Sequence, residues 1–170
     1  MANIRALVAF MLLAHAAGFA GSAFIIPSVQ GWYPTLVQPF YSPPAWVFLP
    51  VRLVLYTLIG IAGYLVWEKG YGIQKKLKGG WKNEKARPAE WALGIYAIQL
   101  IETVIWCYVF FSLHSLFYGL VVIIFLWVSI VLAMACFWLI DRRAAYLLAP
   151  YLIWVSFAMV LNYEAWRLNP

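Results

Sequence analysis

From Leu116 to Ile140 the sequence contains no charged side chain. An α-helix crossing a hydrocarbon core about 30 Å thick needs about 20 consecutive, mainly apolar residues, and this run exceeds that. Four further apolar segments are long enough to do the same: Ile4 to Ile26, Ala45 to Trp67, Glu90 to Phe111 and Ala144 to Trp166. Inside a bilayer the backbone has no water to bond to, so runs this long must satisfy their own N–H and C=O groups as helices. Period-two alternation, the mark of a membrane β-strand, is absent. The fold class expected is an all-α membrane protein, a single five-helix transmembrane bundle spanning residues 1–170.

Composition agrees. Hydrophobic residues make up 66% of the chain and charged residues 11%, with a mean hydropathy of +0.84. A soluble domain carries about 25% charged residues. Arg5 followed by Ala14, Ala16, Ala17 and Ala20 gives the first run some features of a cleaved signal peptide, but it is long for one, and removing it leaves four helices.

Basic residues set the expected orientation. If the spans alternate, Arg5, Lys69, Lys75, Lys76, Lys78, Lys82, Lys85, Arg87, Arg142 and Arg143 share one side, ten of the 12 Lys and Arg residues. Only Arg52 and Arg167 lie toward the other. The positive-inside rule then puts the N-terminus in the cytoplasm if the host is a bacterial inner membrane, with the mitochondrial outer membrane as the alternative host. The formal charge of +6 is absorbed by topology and does not imply a nucleic-acid partner. The cluster Lys75, Lys76 and Lys78 near Trp81 reads either as a solvated connection or as a surface for anionic lipid.

The first connection is unusual. Pro27, Pro34, Pro39, Pro43, Pro44 and Pro50, six of the nine prolines, fall between the first two runs, interleaved with Trp32, Tyr33, Phe40, Tyr41, Trp46 and Phe48. Proline fixes φ and removes a donor, so the stretch from Pro27 to Pro50 is expected to be non-helical and stiff. Trp and Tyr favour the interface, but anchoring alone needs no such proline density. A lid over a pocket in the bundle is the expectation.

Several motifs carry a resemblance. They are Trp32-Tyr33-x-x-Leu36-x-x-Pro39, Pro43-Pro44-x-Trp46-x-Phe48-x-Pro50-Val51, Leu55-Tyr56, Gln99-Leu100 with Trp106 and Phe110-Phe111, Leu147-Leu148-x-Pro150-Tyr151-Leu152-x-Trp154, and Leu161-Asn162-Tyr163 with Trp166-Arg167-Leu168-Asn169. In this order and spacing they resemble the TspO/MBR family, the translocator proteins or tryptophan-rich sensory proteins. The resemblance implies a five-helix bundle, often a homodimer, with an apolar pocket beneath the first connection. It also implies porphyrin or haem, sterol and benzodiazepine-type molecules as ligands, with no obligatory cofactor.

On that resemblance, the pocket residues expected are Ser22 and Ile25 on the first helix, Trp32 in the lid, and Phe48, Leu49, Val51 and Arg52 on the second helix. Glu102, Thr103 and Trp106 on the third, Tyr118, Val121 and Phe125 on the fourth, and Trp154, Ala158 and Leu161 on the fifth complete the set. A flat, apolar tetrapyrrole with acidic side groups needs aromatic faces and a few polar or cationic handles, which this set supplies.

Two positions depart from the family pattern. Arg52 stands where the resemblance implies tryptophan, and Thr103, beside Glu102, where it implies asparagine. An isolated charge in a membrane helix costs about 2.5–3.5 kcal/mol on insertion scales, so such charges usually turn inward and find a partner. Arg52 and Glu102 lie at similar depth. Either they pair, or Arg52 snorkels to the interface while Glu102 is neutral or faces a polar cavity, or Arg52 meets a porphyrin propionate.

Leu161, Tyr163 and Arg167 fit the proposed cholesterol-recognition pattern, although Tyr and Arg are favoured at any helix end by the interface alone. His15 and His114 are too far apart for metal-ligand spacing, and Cys107 and Cys136 sit singly in spans. No nucleophile arrangement or phosphate loop points to hydrolytic chemistry and no catalytic residue is assigned. The sequence therefore leaves a binding, transport or stress-linked regulatory protein for apolar ligands as the leading reading. Light-dependent porphyrin breakdown and a membrane scaffold for protein partners are the alternatives.

Overall fold

The computed structural model describes residues 3–76 and 87–170. Five helices account for most of them: α1 Ile4–Gln30, α2 Phe48–Lys76, α3 Arg87–Cys107, α4 Leu116–Ile140 and α5 Arg142–Leu168. All five are long and apolar enough to span a membrane. Around the bundle, α1 packs on α2 and α3, α2 on α5, α5 on α4, and α4 on α3, which closes a ring. Lys78, Trp81, Lys82 and Lys85 of the basic connection lie outside the described residues.

Two helix starts have a visible cause. The Asn3 side chain accepts from the Ala6 N–H at 3.2 Å and caps α1. The single residue between α4 and α5, Asp141, accepts from the Arg143 N–H at 2.9 Å and caps α5. Its other carboxylate oxygen meets Lys69 Nζ of α2 at 3.2 Å, so one side chain fixes a cap and a crossing of α2 to the α4–α5 corner.

The proline-rich connection begins later and ends earlier than expected. Helix α1 runs on through Pro27 to Gln30, although the proline removes one helical N–H donor and crowds the carbonyl four residues back. Pro50 sits in the first turn of α2, where backbone N–H groups have no helical partner in any case. Between them lie two 3-10 turns, Tyr33–Thr35 and Ala45–Val47.

Helix α3 does not continue regularly to Phe111. Tyr108–Ser112 form a π turn in which Leu113 N–H donates to Tyr108 O at 3.1 Å. The wider turn carries one more residue, so the consecutive side chains Phe110 and Phe111 are both buried.

The main core joins α1, α2, α3, α4 and α5 through Ala14, Ile59, Ala92, Ile130 and Leu148, all fully buried. Gly60 lets α1 and α2 approach closely, since a Cβ there would lie 2.8 Å from the Met11 Cα. A second, smaller cluster around Phe110, Phe111, Leu116 and Ala165 receives Trp32, Tyr33 and Leu36 from the connection. It sits at the end of the bundle opposite Lys69 and Asp141.

Candidate functional site

The segment after Gly31 folds across that end of the bundle and is tied down at three places. The Trp32 indole stacks on His114, ring centroids 4.3 Å apart, and meets Phe110 edge-on. His114 takes a left-handed backbone, φ 52°, in the turn before α4. Tyr33 packs against Phe110 and Phe111. Val37 donates its N–H to Asn169 Oδ1 at 2.9 Å and accepts from Asn169 Nδ2 at 3.1 Å, so the last residues of α5 hold the lid by its backbone. Burial pushes the Tyr33 phenol above its ordinary pKa, with a hydrogen bond to the Ser42 side chain opposing the shift, so the lid presents a neutral phenol to the space below.

Beneath the lid lies a cavity of about 310 Å³. Ser22, Ile25, Ile26, Val29 and Gln30 of α1 form one wall, and Phe48, Leu49 and Arg52 of α2 another. Tyr33, Trp106, Phe111, Trp154 and Ala158 complete it. Two smaller spaces of about 40 Å³ adjoin it. One lies between the lid, Leu161 and Asn162, and the other deeper, among Arg52, Tyr56, Thr103 and Tyr151. Trp106 and Ala158 line all three spaces, so a small change at either residue alters the whole system.

The two pocket indoles are positioned differently. Trp106 Nε1 donates to Asn162 Oδ1 at 3.2 Å, and Asn162 Nδ2 donates to the Leu116 carbonyl at 2.8 Å. That fixes the ring of Trp106 between α3 and α5. Trp154 is held by packing, edge-on to Phe48 at 5.8 Å.

Arg52 turns into the bundle and does not snorkel. Its Nη2 donates to Gly18 O at 3.1 Å and to Tyr56 Oη at 3.2 Å, and its Nη1 lies 3.8 Å from Cys107 Sγ. Glu102 is not its partner. The ion pairs among the described residues are Lys69 with Asp141 and Arg167 with Glu164. Gln99 and Thr103 take the buried face of α3, and one residue back from Thr103 the chain has rotated by about 100°. Thr103 donates to Gln99 O at 2.9 Å and shares a hydrogen bond with Tyr151 Oη at 2.7 Å. The Glu102 Oε2 atom is buried without a hydrogen-bond partner.

Of the residues expected in the pocket, the structure brings together Ser22, Ile25, Phe48, Leu49, Arg52, Trp106, Trp154 and Ala158 around the main cavity. Thr103 and Leu161 line the adjoining spaces. Trp32 lines none of them and acts on the lid through His114. Val51 packs against the main core. Tyr118 and Phe125, 65% and 63% exposed, face outward from α4, and Val121 also lies outside the three spaces. The face of α4 that reaches the deeper space is that of Ile123 and Leu126. The sterol pattern is divided as well: Leu161 faces the space under the lid, while Tyr163 and Arg167 lie exposed, Arg167 paired with Glu164 at 2.7 Å.

Sequence reasoning missed Gly18 and Gly21. A Cβ at Gly21 would lie 2.8 Å from Cys107 Sγ and 2.9 Å from Arg52 Nη2, and one at Gly18 would lie 2.6 Å from the Tyr56 ring. Two glycines three residues apart, on the face that also bears Ser22 and Ile25, were the available signal.

The TspO/MBR family model matches residues 10–167. The chain is 39% identical to the tryptophan-rich protein TspO of Chlorobaculum tepidum, over 93% of this chain and 92% of that one. It is 37% identical to the tryptophan-rich protein TspO of Archaeoglobus fulgidus, over 98% and 99%. It is also 33% identical to the translocator protein of Ovis aries, over 95% and 89%.

Proposed function

Because this chain belongs to the TspO/MBR family and is a multi-pass membrane protein, we propose that it binds flat, mainly apolar ligands of the tetrapyrrole class in the cavity beneath its first connection, as the binding step of transport or stress-linked regulation. The observation that carries this reading is the cavity itself: about 310 Å³, roofed by a lid, walled by Trp106, Trp154, Phe48 and Phe111, with Arg52, Ser22 and Gln30 as polar points. Aromatic faces match a planar ring system, and a few polar groups orient it.

The reading extends to placement. The N-terminus is taken to be cytoplasmic in a bacterial membrane, on the side of the basic second connection, which opens the lid end of the cavity to the outside. A homodimer is part of the same proposal, and cross-linking in native membranes tests it.

Titration of the purified protein in detergent with protoporphyrin IX, followed by tryptophan fluorescence, tests the ligand class. Saturable quenching supports the reading. Quenching that rises without saturation, as for partition into the micelle, refutes it for this ligand.

A further inference from the structure

A cation inside a membrane bundle is costly unless something opposes its charge. Arg52 has no acidic partner among the described residues: Asp141 pairs with Lys69, Glu164 with Arg167, Glu68 accepts from Tyr64, and neither Glu90 nor Glu102 forms an ion pair with it. Neutral atoms hold it instead. Both Nη2 hydrogens are used on Gly18 O and Tyr56 Oη, while one Nη1 hydrogen faces the soft Cys107 sulfur. The Nε–H and the other Nη1 hydrogen have no acceptor among the described residues.

The bundle is shaped to keep the guanidinium there. Any side chain at Gly21 would collide with Nη2, and any at Gly18 with the tyrosine that braces it. An arginine serving only as an interfacial anchor would extend toward the headgroups at the nearby lid end. This one is seated between α1 and α3 and still lines the main cavity. The remaining wall is mainly apolar or aromatic, with Ile25, Val29, Phe48, Trp106 and Trp154, and Ser22 and Gln30 are its neutral polar side chains.

We propose that Arg52 is an anion handle, which selects a carboxylate carried on an otherwise apolar molecule lodged in this cavity. The inference rests on the cavity being a ligand site and adds the chemical class that the site prefers. A carboxylate arriving from the cavity side supplies the missing counter-charge and takes the unused N–H donors, a charge-assisted bond in a low-dielectric setting. The carboxylate has two possible sources, the acidic side group of a tetrapyrrole or the head of a free fatty acid.

Protoporphyrin IX and its dimethyl ester, titrated against the wild-type protein in detergent, separate the handle from the cavity. The acid is expected to bind about tenfold or more tightly than the ester. Arg52→Gln is expected to bring the two within about twofold by weakening the acid alone, its retained ester binding reporting an intact cavity. Gly21→Ala keeps the charge but pushes the guanidinium from its seat, and also weakens the acid more than the ester. Displacement of bound protoporphyrin by oleate but not methyl oleate supports the handle and assigns it to fatty acids too; no displacement by either, with the acid preference retained, supports it for ring carboxylates. Equal binding of acid and ester by the wild type, or a preference that survives in Arg52→Gln, overturns the handle while leaving the cavity reading in place. Saturable binding of neither molecule overturns both.

Discussion

Asn169, just past the end of α5, holds Val37 of the lid through both of that residue's backbone groups, at 2.9 and 3.1 Å, and anchors itself by donating to the Ala165 carbonyl at 2.8 Å. One amide thus couples the C-terminal end of the bundle to the roof of the cavity, 132 residues away in sequence. Each such bond contributes about 0.5–1.5 kcal/mol net, so Asn169→Ala is expected to raise the population of open lid roughly tenfold. Hydrogen exchange at the Val37 amide reads this directly. Unchanged protection there would mean that proline stiffness and the Trp32–His114 stack hold the lid without the clamp.

Gly60 and Gly94 offer a paired test of the packing. Gly60→Ala drives a methyl to 2.8 Å from the Met11 backbone, which cannot yield without separating α1 from α2, whereas nothing lies within 4 Å of a Cβ at Gly94. The first substitution is expected to cost about 1–3 kcal/mol and the second to be neutral or stabilising by up to about 1 kcal/mol. Thermal unfolding in one detergent orders the three proteins, and a Gly60→Ala variant as stable as Gly94→Ala contradicts the close approach.

At the opposite end, Asp141 performs two tasks that substitution can separate. Asp141→Ala removes both the cap on Arg143 and the contact with Lys69, and is expected to cost about 1–2 kcal/mol. Asp141→Asn keeps an oxygen for the cap and loses only an ion pair whose lysine is 52% exposed, so its cost is expected to stay below about 1 kcal/mol. Equal losses for the two variants would move the weight from the cap to the charge.

How much of this was legible in the sequence depends on where polar residues fall. The C-terminal boundary of α4 is readable because an uncharged run ends at Asp141, whose carboxylate caps the next helix. The rotational phase of α4 is not: a helix apolar all round gives no sign of which face meets protein and which meets lipid, and only the resemblance points Tyr118 and Phe125 to the pocket. In α3 the polar Gln99 and Thr103 mark the buried face, whereas depth along the helices leaves open whether Glu102 reaches Arg52. At Pro27 the sequence shows the missing donor and not the turn of helix that follows it. The π turn at Tyr108–Ser112 has no sequence mark beyond two adjacent phenylalanines that both need burial. The glycines under Arg52 were overlooked because their reason lies across the helix interface, in side chains from α2 and α3.

Ala158 lines the main cavity and both adjoining spaces, so a bulky side chain there fills the proposed ligand site. The decisive measurement is the protoporphyrin IX affinity of Ala158→Trp beside the wild type, with helix content by circular dichroism checked for both. A ligand bound under the lid predicts saturable binding by the wild type and affinity weakened about tenfold or more in a variant that remains fully helical. Equal affinity in the two proteins would put the ligand on the outer surface of the bundle and contradict the cavity as the binding site.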